Sequence, residues 1–172
     1  SISMKPTVDK KILSVIIPVY NEEENVRLAY EGVTKAIKSI QDKYDYELLF
    51  TDNHSTDKTF DILQEMSEID TRIKVIRFSR NFGYQRSILT GYLYAKGDIA
   101  VQLDCDLQDP PQLILTFIKF WEQGYKVVYG IRRSRKEAWF LTLLRKIFYR
   151  LINLISEDPL PKDAGDFRLI DR

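Results

Sequence analysis

The sequence predicts an α/β domain built on an open, mostly parallel β-sheet with helices on both faces. Three observations support this fold class. Short apolar runs alternate along the chain with longer segments of helical periodicity. The first run is almost continuously apolar, which is typical of a strand covered on both faces. Polar residues that can bind ligands follow these runs directly, as expected where the carboxyl ends of parallel strands line a crevice.

The first predicted strand covers residues 12–17, a nearly all-apolar run that ends at Pro18. Asn21 is expected to cap the helix that follows, because its side-chain oxygen can accept a hydrogen bond from a backbone N–H of the first turn. The glutamates at 22–24 would occupy that turn, where the helix dipole favours negative charge. Apolar residues then recur at helical spacing as far as Ile40.

Two further strand and helix pairs follow. Residues 46–50 and 73–78 are predicted strands because they are rich in apolar and aromatic side chains. The helix after the first of these strands is expected to begin at Ser55 or Thr56. The helix after the second is expected to span about residues 84–95.

The pattern ends with a strand at 99–103, a helix opened by Pro110 and Pro111, and a strand at 126–129. The complete order is βαβαβαβαβ. This alternation predicts parallel strands joined by helices, with ligands in the crevice beyond the carboxyl ends of the strands. The chain contains no internal repeat, low-complexity tract or linker, so we expect one domain over residues 1–172.

Composition excludes several classes of protein. With 172 residues, 44% of them hydrophobic, the chain can form one core and is not disordered. Lys and Arg total 26 against 25 Asp and Glu, which gives no support for nucleic acid as a partner. A single Cys excludes an internal disulfide framework and suits a reducing cytosol. No secretory signal and no apolar run of about 18 residues is evident, so a soluble or membrane-peripheral chain is expected.

Hard oxygen ligands follow the predicted strand at 99–103. Asp104 and Asp106 are one residue apart, and both carboxylates can turn toward one cation. Gln108 supplies a third oxygen, and such a set suits Mg²⁺ or Mn²⁺. Because Mg²⁺ keeps positions for substrate phosphates, the cluster predicts a nucleotide diphosphate as ligand. An isolated Asp-x-Asp is more often a solvated turn, but the position between a strand and a Pro-Pro helix start favours the metal site.

Two other loops would open into the same crevice. Tyr20 follows the first strand and offers an aromatic ring edge. Asp52 follows the second strand and can accept hydrogen bonds from a base N–H or a ribose hydroxyl. The alternative for this second loop is a helix N-cap, which Ser55 and Asp57 would satisfy. The two interpretations stay equal for Asp57, whereas ligand binding is favoured for Asp52.

His54 and Cys105 are each the only residue of their type. His54 has no evident partner for catalysis, so we favour a turn residue over a general base. Alternation in an extended segment points Cys105 away from the face shared by Asp104 and Asp106. A small buried side chain is therefore favoured over a soft metal ligand.

A basic, aromatic segment at 139–152 carries an apolar stripe at helical spacing, with Arg145, Lys146 and Arg150 beside it. Such a helix fits a bilayer interface, with its cations at lipid phosphates. It equally fits a helix in the core or at a subunit interface, and the latter is compatible with a homo-oligomer. The pattern alone leaves these interpretations open.

Five motifs stand in order along the chain and extend over nearly all of it. They occupy residues 13–25, 52–57, 79–83, 104–111 and 163–169. In this order they resemble the inverting family-2 glycosyltransferases with the GT-A fold, a Rossmann-like α/β architecture. Within that family they are similar to the polyprenyl-phosphate glycosyltransferases, a group that includes bactoprenol glucosyltransferases and dolichol-phosphate mannose synthases. The chain departs from the family pattern at Asn53, His54 and Cys105, where Asp, Gly and Ala are usual.

The resemblance implies roles for particular residues. The nucleotide would contact Pro18, Tyr20, Glu22, Asp52 and Asp104. The metal would be held by Asp104, Asp106 and Gln108. The acceptor phosphate would meet Arg132, Arg145, Arg150 and Arg168. Catalysis would involve Asp106, Arg132, Asp163 and Asp166, although the last two can instead cap the chain locally and pair with Arg168.

The resemblance also implies an activity. A hexose, with UDP-glucose favoured as the donor, would pass from a nucleotide diphosphate sugar to a polyprenyl phosphate, undecaprenyl or dolichyl, with inversion at the anomeric carbon. The second pKa of the acceptor phosphate is about 6, so it is largely dianionic at neutral pH and its positioning matters more than a strong base. The reaction would occur at the cytoplasmic face of a membrane, in a catalytic domain truncated at its C-terminal end relative to the family.

Two other classes of protein remain as alternatives. A non-catalytic nucleotide-sugar-binding domain, or a truncated inactive one, would share the nucleotide site but would not turn over substrate. A nucleotidyltransferase would also use metal-binding carboxylates on an α/β sheet. That third class is disfavoured because it is expected to carry a Gly-rich phosphate loop near the first strand, and the sequence has none there.

Overall fold

The structure, a computed structural model, describes residues 9–108, 110–131 and 164–171, with the backbone alone for 127–131 and 164–171. Six strands and four α-helices occur in these ranges. In chain order they are β1 (Lys11–Val19), α1 (Val26–Ile37), β2 (Tyr44–Asp52), α2 (Thr59–Ile69), β3 (Ile73–Arg77), α3 (Tyr84–Tyr94), β4 (Ile99–Gln102), α4 (Leu113–Glu122), β5 (Val127–Ile131) and β6 (Ala164–Asp171). A 3₁₀ turn, Lys38–Ile40, extends α1. The predicted alternation of five strands and four helices is therefore confirmed.

The strands form one sheet in the order β3-β2-β1-β4-β6-β5. The first four pair in parallel, β1 with β2 and β4, and β2 with β3. β6 lies antiparallel to both of its neighbours, β4 and β5. The sheet is thus mostly parallel, as predicted, with one antiparallel strand inserted between β4 and β5.

The prediction missed β6. Its segment holds Gly165 and three charged residues, at positions 166, 168 and 171, so it lacks the apolar run that identified the other strands. β6 pairs with β4 on one side and with β5 on the other, and these pairings supply backbone hydrogen bonds. The local sequence gives no sign of them. The strand was therefore specified by tertiary contacts rather than by its own composition.

Both faces of the sheet are covered. Leu13, Val15 and Ile17 of β1 share a large core with the apolar sides of α1, α2 and α4. Ile16, which points to the opposite face, packs in a smaller cluster below α3. A Cβ at Gly91 of α3 would lie 2.3 Å from Ile16 Cγ2, so only glycine allows this close approach of helix and strand.

α1 begins at Val26, so the prediction that Asn21 caps it was wrong. Asn21 takes a left-handed conformation with φ of 51°, and its Oδ1 accepts a hydrogen bond of 2.8 Å from the backbone N–H of Thr56 in the next loop. The first turn of α1 carries no acidic residue, because the glutamates at 22–24 lie in the loop before it. This loop is long because it is held by the neighbouring β2–α2 loop rather than by its own helix.

α2 begins at Thr59, later than the predicted start at Ser55 or Thr56. The Ser55 hydroxyl donates to Asp52 at 2.6 Å instead of capping a helix. Asp57 supports the helix start, since its Oδ1 accepts a hydrogen bond of 2.9 Å from the Thr59 N–H. Residues predicted to lie in two helices therefore form loops at the carboxyl end of the sheet.

None of the helices in the described ranges is long and apolar enough to cross a membrane. The basic segment at 139–152 lies outside the described residues.

Candidate functional site

A cavity of about 430 Å³ opens at the carboxyl ends of β1, β2 and β4. Pro18, Tyr20 and Glu22 line it from the end of β1 and the loop that follows. Asp104 and Asp106 line it from the loop after β4. The volume lies in the range of small-ligand sites, and the position is the one predicted for an α/β sheet of this kind.

The loops after β1 and β2 are tied together by direct hydrogen bonds. The Asn21 N–H donates to Ser55 Oγ at 2.9 Å, and the Glu22 N–H donates to Thr59 Oγ1 at 2.8 Å. These bonds satisfy loop amides that would otherwise need water. They fix the backbone that carries Tyr20, which is 46% exposed and lies at the cavity wall.

The loop after β4 carries two carboxylates. Asp104 is half-buried and Asp106 is exposed. The turn closes with a hydrogen bond of 3.2 Å from the Leu107 N–H to the Asp104 carbonyl, and Leu107 itself takes a left-handed φ of 54°. Asp106 Oδ1 accepts from the Gln108 N–H at 3.2 Å. A tight, internally bonded turn therefore holds both carboxylates at the mouth of the cavity.

Cys105, between the two carboxylates, is 3% exposed and belongs to the apolar core. Burial raises the pKa of its thiol well above the usual range, and the negative charges of Glu22, Asp106 and Asp104 raise it further. The prediction of a small buried side chain is confirmed. Glu22, Asp104 and Asp106 therefore all lie close enough to Cys105 to raise the pKa of its thiol.

The donor set fits a hard divalent cation that is shared with a ligand. Among the described residues no group of three His, Cys, Asp or Glu side chains is close enough to hold a metal by itself. Asp104 and Asp106 offer carboxylate oxygens at one cavity wall, and Mg²⁺ is typically bound by one or two carboxylates together with substrate phosphates. Gln108, predicted as a third ligand, is exposed and is not among the residues that line the cavity, although its backbone N–H contacts Asp106, so its role as a metal ligand stays a prediction.

Asp52 is fully buried and is not among the residues that line the cavity. Its Oδ1 accepts two hydrogen bonds from Ser55, 3.0 Å from the N–H and 2.6 Å from the hydroxyl. Its Oδ2 makes no hydrogen bond to any described residue and lies 3.6 Å from Nε of Arg77. The neighbouring Asn53 lines the cavity instead, so the nucleoside contact of Asp52 stays a prediction.

His54 takes a left-handed φ of 65°, and its Nδ1 lies 3.0 Å from the carbonyl oxygen of Phe78, a distance that fits a hydrogen bond donated by the ring. It does not line the cavity. The prediction of a turn residue is confirmed, and the departure from the usual Gly is accommodated because His tolerates positive φ better than most residues.

Tyr84 and Gln102 had no predicted role, yet Tyr84 contacts Asp104 and Gln102 contacts Tyr84. The Tyr84 hydroxyl donates to Asp104 Oδ1 and accepts a hydrogen bond of 2.9 Å from Gln102 Nε2. Gln102 is fully buried at the end of β4. An amide at the last position of an otherwise apolar strand was the available signal for this contact.

Arg80 and Arg86 are sequence neighbours of Asn81 and Ser87, which line the cavity. Arg80 and Arg86 place their guanidinium carbons 4.1 and 5.7 Å from the ring centroid of Phe82. Asn81 and Gly83, on either side of that phenylalanine, line the cavity. Within the described part of the chain, neither arginine has a carboxylate oxygen within 4.0 Å.

Of the remaining predicted site residues, only those on β6 are described by the structure. Arg132, Arg145, Arg150 and Asp163 lie outside the described residues. Asp166 and Arg168 lie on β6, where Arg168 pairs with Gln102 of β4. Because β6 runs antiparallel to β4, Asp166 lies beyond this pair toward the sheet edge where the cavity opens.

Comparison with known proteins supplies independent evidence. Residues 14–172 match the family described as Glycosyl transferase family 2. The chain is 46% identical over 160 residues to an uncharacterized glycosyltransferase, YkcC, of Bacillus subtilis, covering 92% of this chain and 49% of that protein. It is 36% identical over 156 residues to an undecaprenyl-phosphate 4-deoxy-4-formamido-L-arabinose transferase of Proteus mirabilis, covering 90% of this chain and 46% of that protein. The chain thus spans about half the length of the curated relatives it matches.

Solved structures share the fold at lower identity. The mannosyltransferase PcManGT of Pyrobaculum calidifontis, in complex with GDP-Man and Mn²⁺, superposes with a TM-score of 0.65 at 18% identity over 95% of this chain and 45% of that chain. Glucosyl-3-phosphoglycerate synthase of Mycobacterium tuberculosis, with Mn²⁺, UDP and phosphoglyceric acid, gives a TM-score of 0.62 at 21% identity over 94% of this chain and 56% of that chain. These likenesses establish the GT-A architecture that the motifs implied.

Proposed function

The chain belongs to glycosyl transferase family 2, and on that premise we propose that it transfers a hexose from a nucleotide diphosphate sugar to a polyprenyl phosphate. One observation carries the proposal. Asp104 and Asp106 face the same cavity as Tyr20 and Glu22, at the carboxyl edge of the sheet. This arrangement offers hard oxygen ligands beside a surface suited to a nucleoside.

The donor is proposed to lie along the ends of β1, β2 and β4. Tyr20 is exposed at the cavity wall and can contact the base or the ribose, while Glu22 can accept hydrogen bonds from hydroxyl groups. Asn53 adds an amide beside them. The occurrence of GDP-Man and UDP in solved structures of this fold supports a nucleotide donor. UDP-glucose is the donor we favour.

Asp104 and Asp106 would hold Mg²⁺ or Mn²⁺ together with the donor diphosphate. When bound, such a cation would neutralise the negative charge that develops on the departing nucleotide diphosphate. The protein's part is to keep two carboxylates in place in a tight turn, so that little reorganisation is needed when the donor arrives. Mn²⁺ in both related complexes supports this assignment.

The acceptor is proposed to be the phosphate of a polyprenyl lipid, undecaprenyl phosphate above all. A relative with 36% identity is named an undecaprenyl-phosphate transferase, which supports this acceptor class. Two phosphate-bearing substrates repel each other, so cations are required where they meet. Arg132, Arg145, Arg150 and Arg168 remain the proposed contacts. The acceptor is drawn from a membrane surface, which we place at the cytoplasmic face.

Transfer by the chain itself tests the proposal. Labelled UDP-glucose would be incubated with undecaprenyl phosphate in detergent and Mn²⁺, and lipid-extractable label would be measured. We expect label to enter the lipid with wild-type protein and not with Asp106→Asn. Asp45→Asn is the matched control, because Asp45 is exposed and lies near the amino end of β2, opposite the cavity. Donor binding without transfer to any polyprenyl phosphate would favour a non-catalytic nucleotide-sugar-binding domain.

A further inference from the structure

We propose that Tyr84 is a positioning residue for the metal-binding carboxylate Asp104, an inference that rests on the proposed function. The tyrosine hydroxyl lies between two groups from β4 and the loop that follows it. It donates a hydrogen bond to Asp104 Oδ1 and accepts a hydrogen bond of 2.9 Å from Gln102 Nε2. The geometry therefore forms a chain of three side chains that ends on the carboxylate.

The polarity of this chain is fixed by the groups in it. A phenol has one O–H donor, and an ionised carboxylate can only accept, so the Tyr84 hydroxyl must donate its hydrogen bond to Asp104. The oxygen of Tyr84 is then an acceptor, and Gln102 must present its NH₂ group rather than its carbonyl. Each group thus orients the next, and Asp104 receives a donor that holds its carboxylate in one orientation.

The buried amide of Gln102 does not stabilise the apolar core around it. Gln102 is fully buried in β4, and its Oε1 has no hydrogen-bond partner among the residues whose side chains the structure describes. A buried carbonyl without a partner destabilises the folded state, whereas an apolar residue there would not. Its contact with Tyr84 is the feature that an apolar residue could not supply.

Tyr84 is itself held in place by the neighbouring β2–α2 region. The N–H of Phe82 donates to Asn53 Oδ1 at 2.8 Å, and Ser87 Oγ donates to Thr51 Oγ1 at 2.8 Å. These two contacts fix the backbone before and after Tyr84, the first residue of α3. The hydroxyl can therefore impose an orientation on Asp104 because its own position is determined on both sides.

Tyr84→Phe removes only the hydroxyl, so it isolates this role. We expect the affinity for UDP in the presence of Mn²⁺ to fall about tenfold, the lower end of the effect of removing a partner of a metal ligand. The affinity for UDP with EDTA should be unchanged, whereas the thermal midpoint should fall by a few degrees because the buried Gln102 Nε2 loses its acceptor. Titration calorimetry would measure UDP binding, and the electron paramagnetic resonance signal of free Mn²⁺ would report metal uptake directly.

Tyr94→Phe is the matched control, since Tyr94 ends the same helix with an exposed side chain. It should bind UDP and Mn²⁺ as the wild type does. Gln102→Leu should weaken Mn²⁺-dependent binding through Tyr84, so adding it to Tyr84→Phe should cause no further loss.

The outcomes separate this inference from the proposed function. Wild-type protein that binds no UDP in a Mn²⁺-dependent manner would overturn both. Mn²⁺-dependent binding by wild type with equal or tighter binding by Tyr84→Phe would overturn the role of Tyr84 alone. An equal loss with EDTA and with Mn²⁺ would also overturn it, because the effect would then not pass through the metal ligand.

Discussion

Asp52 is expected to stabilise the fold of the β2–α2 loop, and Asp52→Ala tests this. The carboxylate is the acceptor for both the N–H and the hydroxyl of Ser55, which is 3% exposed. A buried donor left without an acceptor costs about 1–3 kcal/mol, so two donors should cost about 2–4 kcal/mol after partial relaxation. The ion pair with Arg77 adds little, because that side chain is 38% exposed and can turn to water.

For a chain of this size 1 kcal/mol corresponds to about 2–4 °C, so the thermal midpoint should fall by roughly 4–16 °C. Ser55→Ala keeps the backbone donor and its acceptor, and should cost about half as much, because the exposed Asn21 N–H that loses the Ser55 hydroxyl can bond to water instead. Asp45→Ala is the control: its side chain is 60% exposed, and such a surface change should stay within about 0.5 kcal/mol. Differential scanning calorimetry measures all three.

An Asp52→Ala midpoint equal to that of the Asp45→Ala control would refute the reasoning from burial and hydrogen bonding. The same variant, measured well below its midpoint, tests the proposed nucleoside contact. A lowered UDP affinity would place Asp52 in the site, whereas equal affinity would remove it.

Four further outcomes are expected. In competition binding UDP should displace a labelled donor at lower concentration than GDP, and equal displacement would contradict the proposed uridine preference. Cys105 should react slowly with a thiol reagent at pH 8 until the protein unfolds, because burial raises its pKa; fast labelling of folded protein would contradict this. Since the unfolded thiol ionises near its ordinary pKa of about 8.5 while the folded thiol stays neutral, the free energy of unfolding should decrease as pH rises above that value. Each basic residue near an anionic surface contributes about 1 kcal/mol, so the double change Arg145→Glu and Arg150→Glu should weaken vesicle binding more than tenfold. Retained vesicle binding would assign segment 139–152 to the core or to a subunit interface.

The central strand β1 could be predicted from sequence because its residues are almost all apolar on both faces. Leu13 to Val19 are all buried, and this run alone identifies a central strand. The helix starts were less accessible. Asn is a residue type that favours the N-cap, but the Asn21 side chain bonds to the β2–α2 loop, more than 30 residues later in the chain. Such a contact competes with capping and leaves no local signal.

The site shows the same division. Asp104 and Asp106 could be predicted because their ligand chemistry and their position after a strand are both visible in the sequence. The partner Tyr84 could not, since its contact with Asp104 joins residues 20 positions apart through the pairing of sheet and helix. Asp52 was predicted to contact the nucleoside, and its burial follows from Ser55, which bonds to it instead of beginning α2.

The binding of UDP to wild-type protein and to Asp106→Asn, each with Mn²⁺ and with EDTA, tests the proposed metal site most directly. We expect wild-type affinity to depend on Mn²⁺ and Asp106→Asn to lose this dependence while keeping the wild-type thermal midpoint, because Asp106 is exposed and the asparagine keeps an oxygen that can accept from the Gln108 N–H. Equal UDP affinity of the two proteins, with and without the chelator, would contradict the metal site on which the proposed transfer rests.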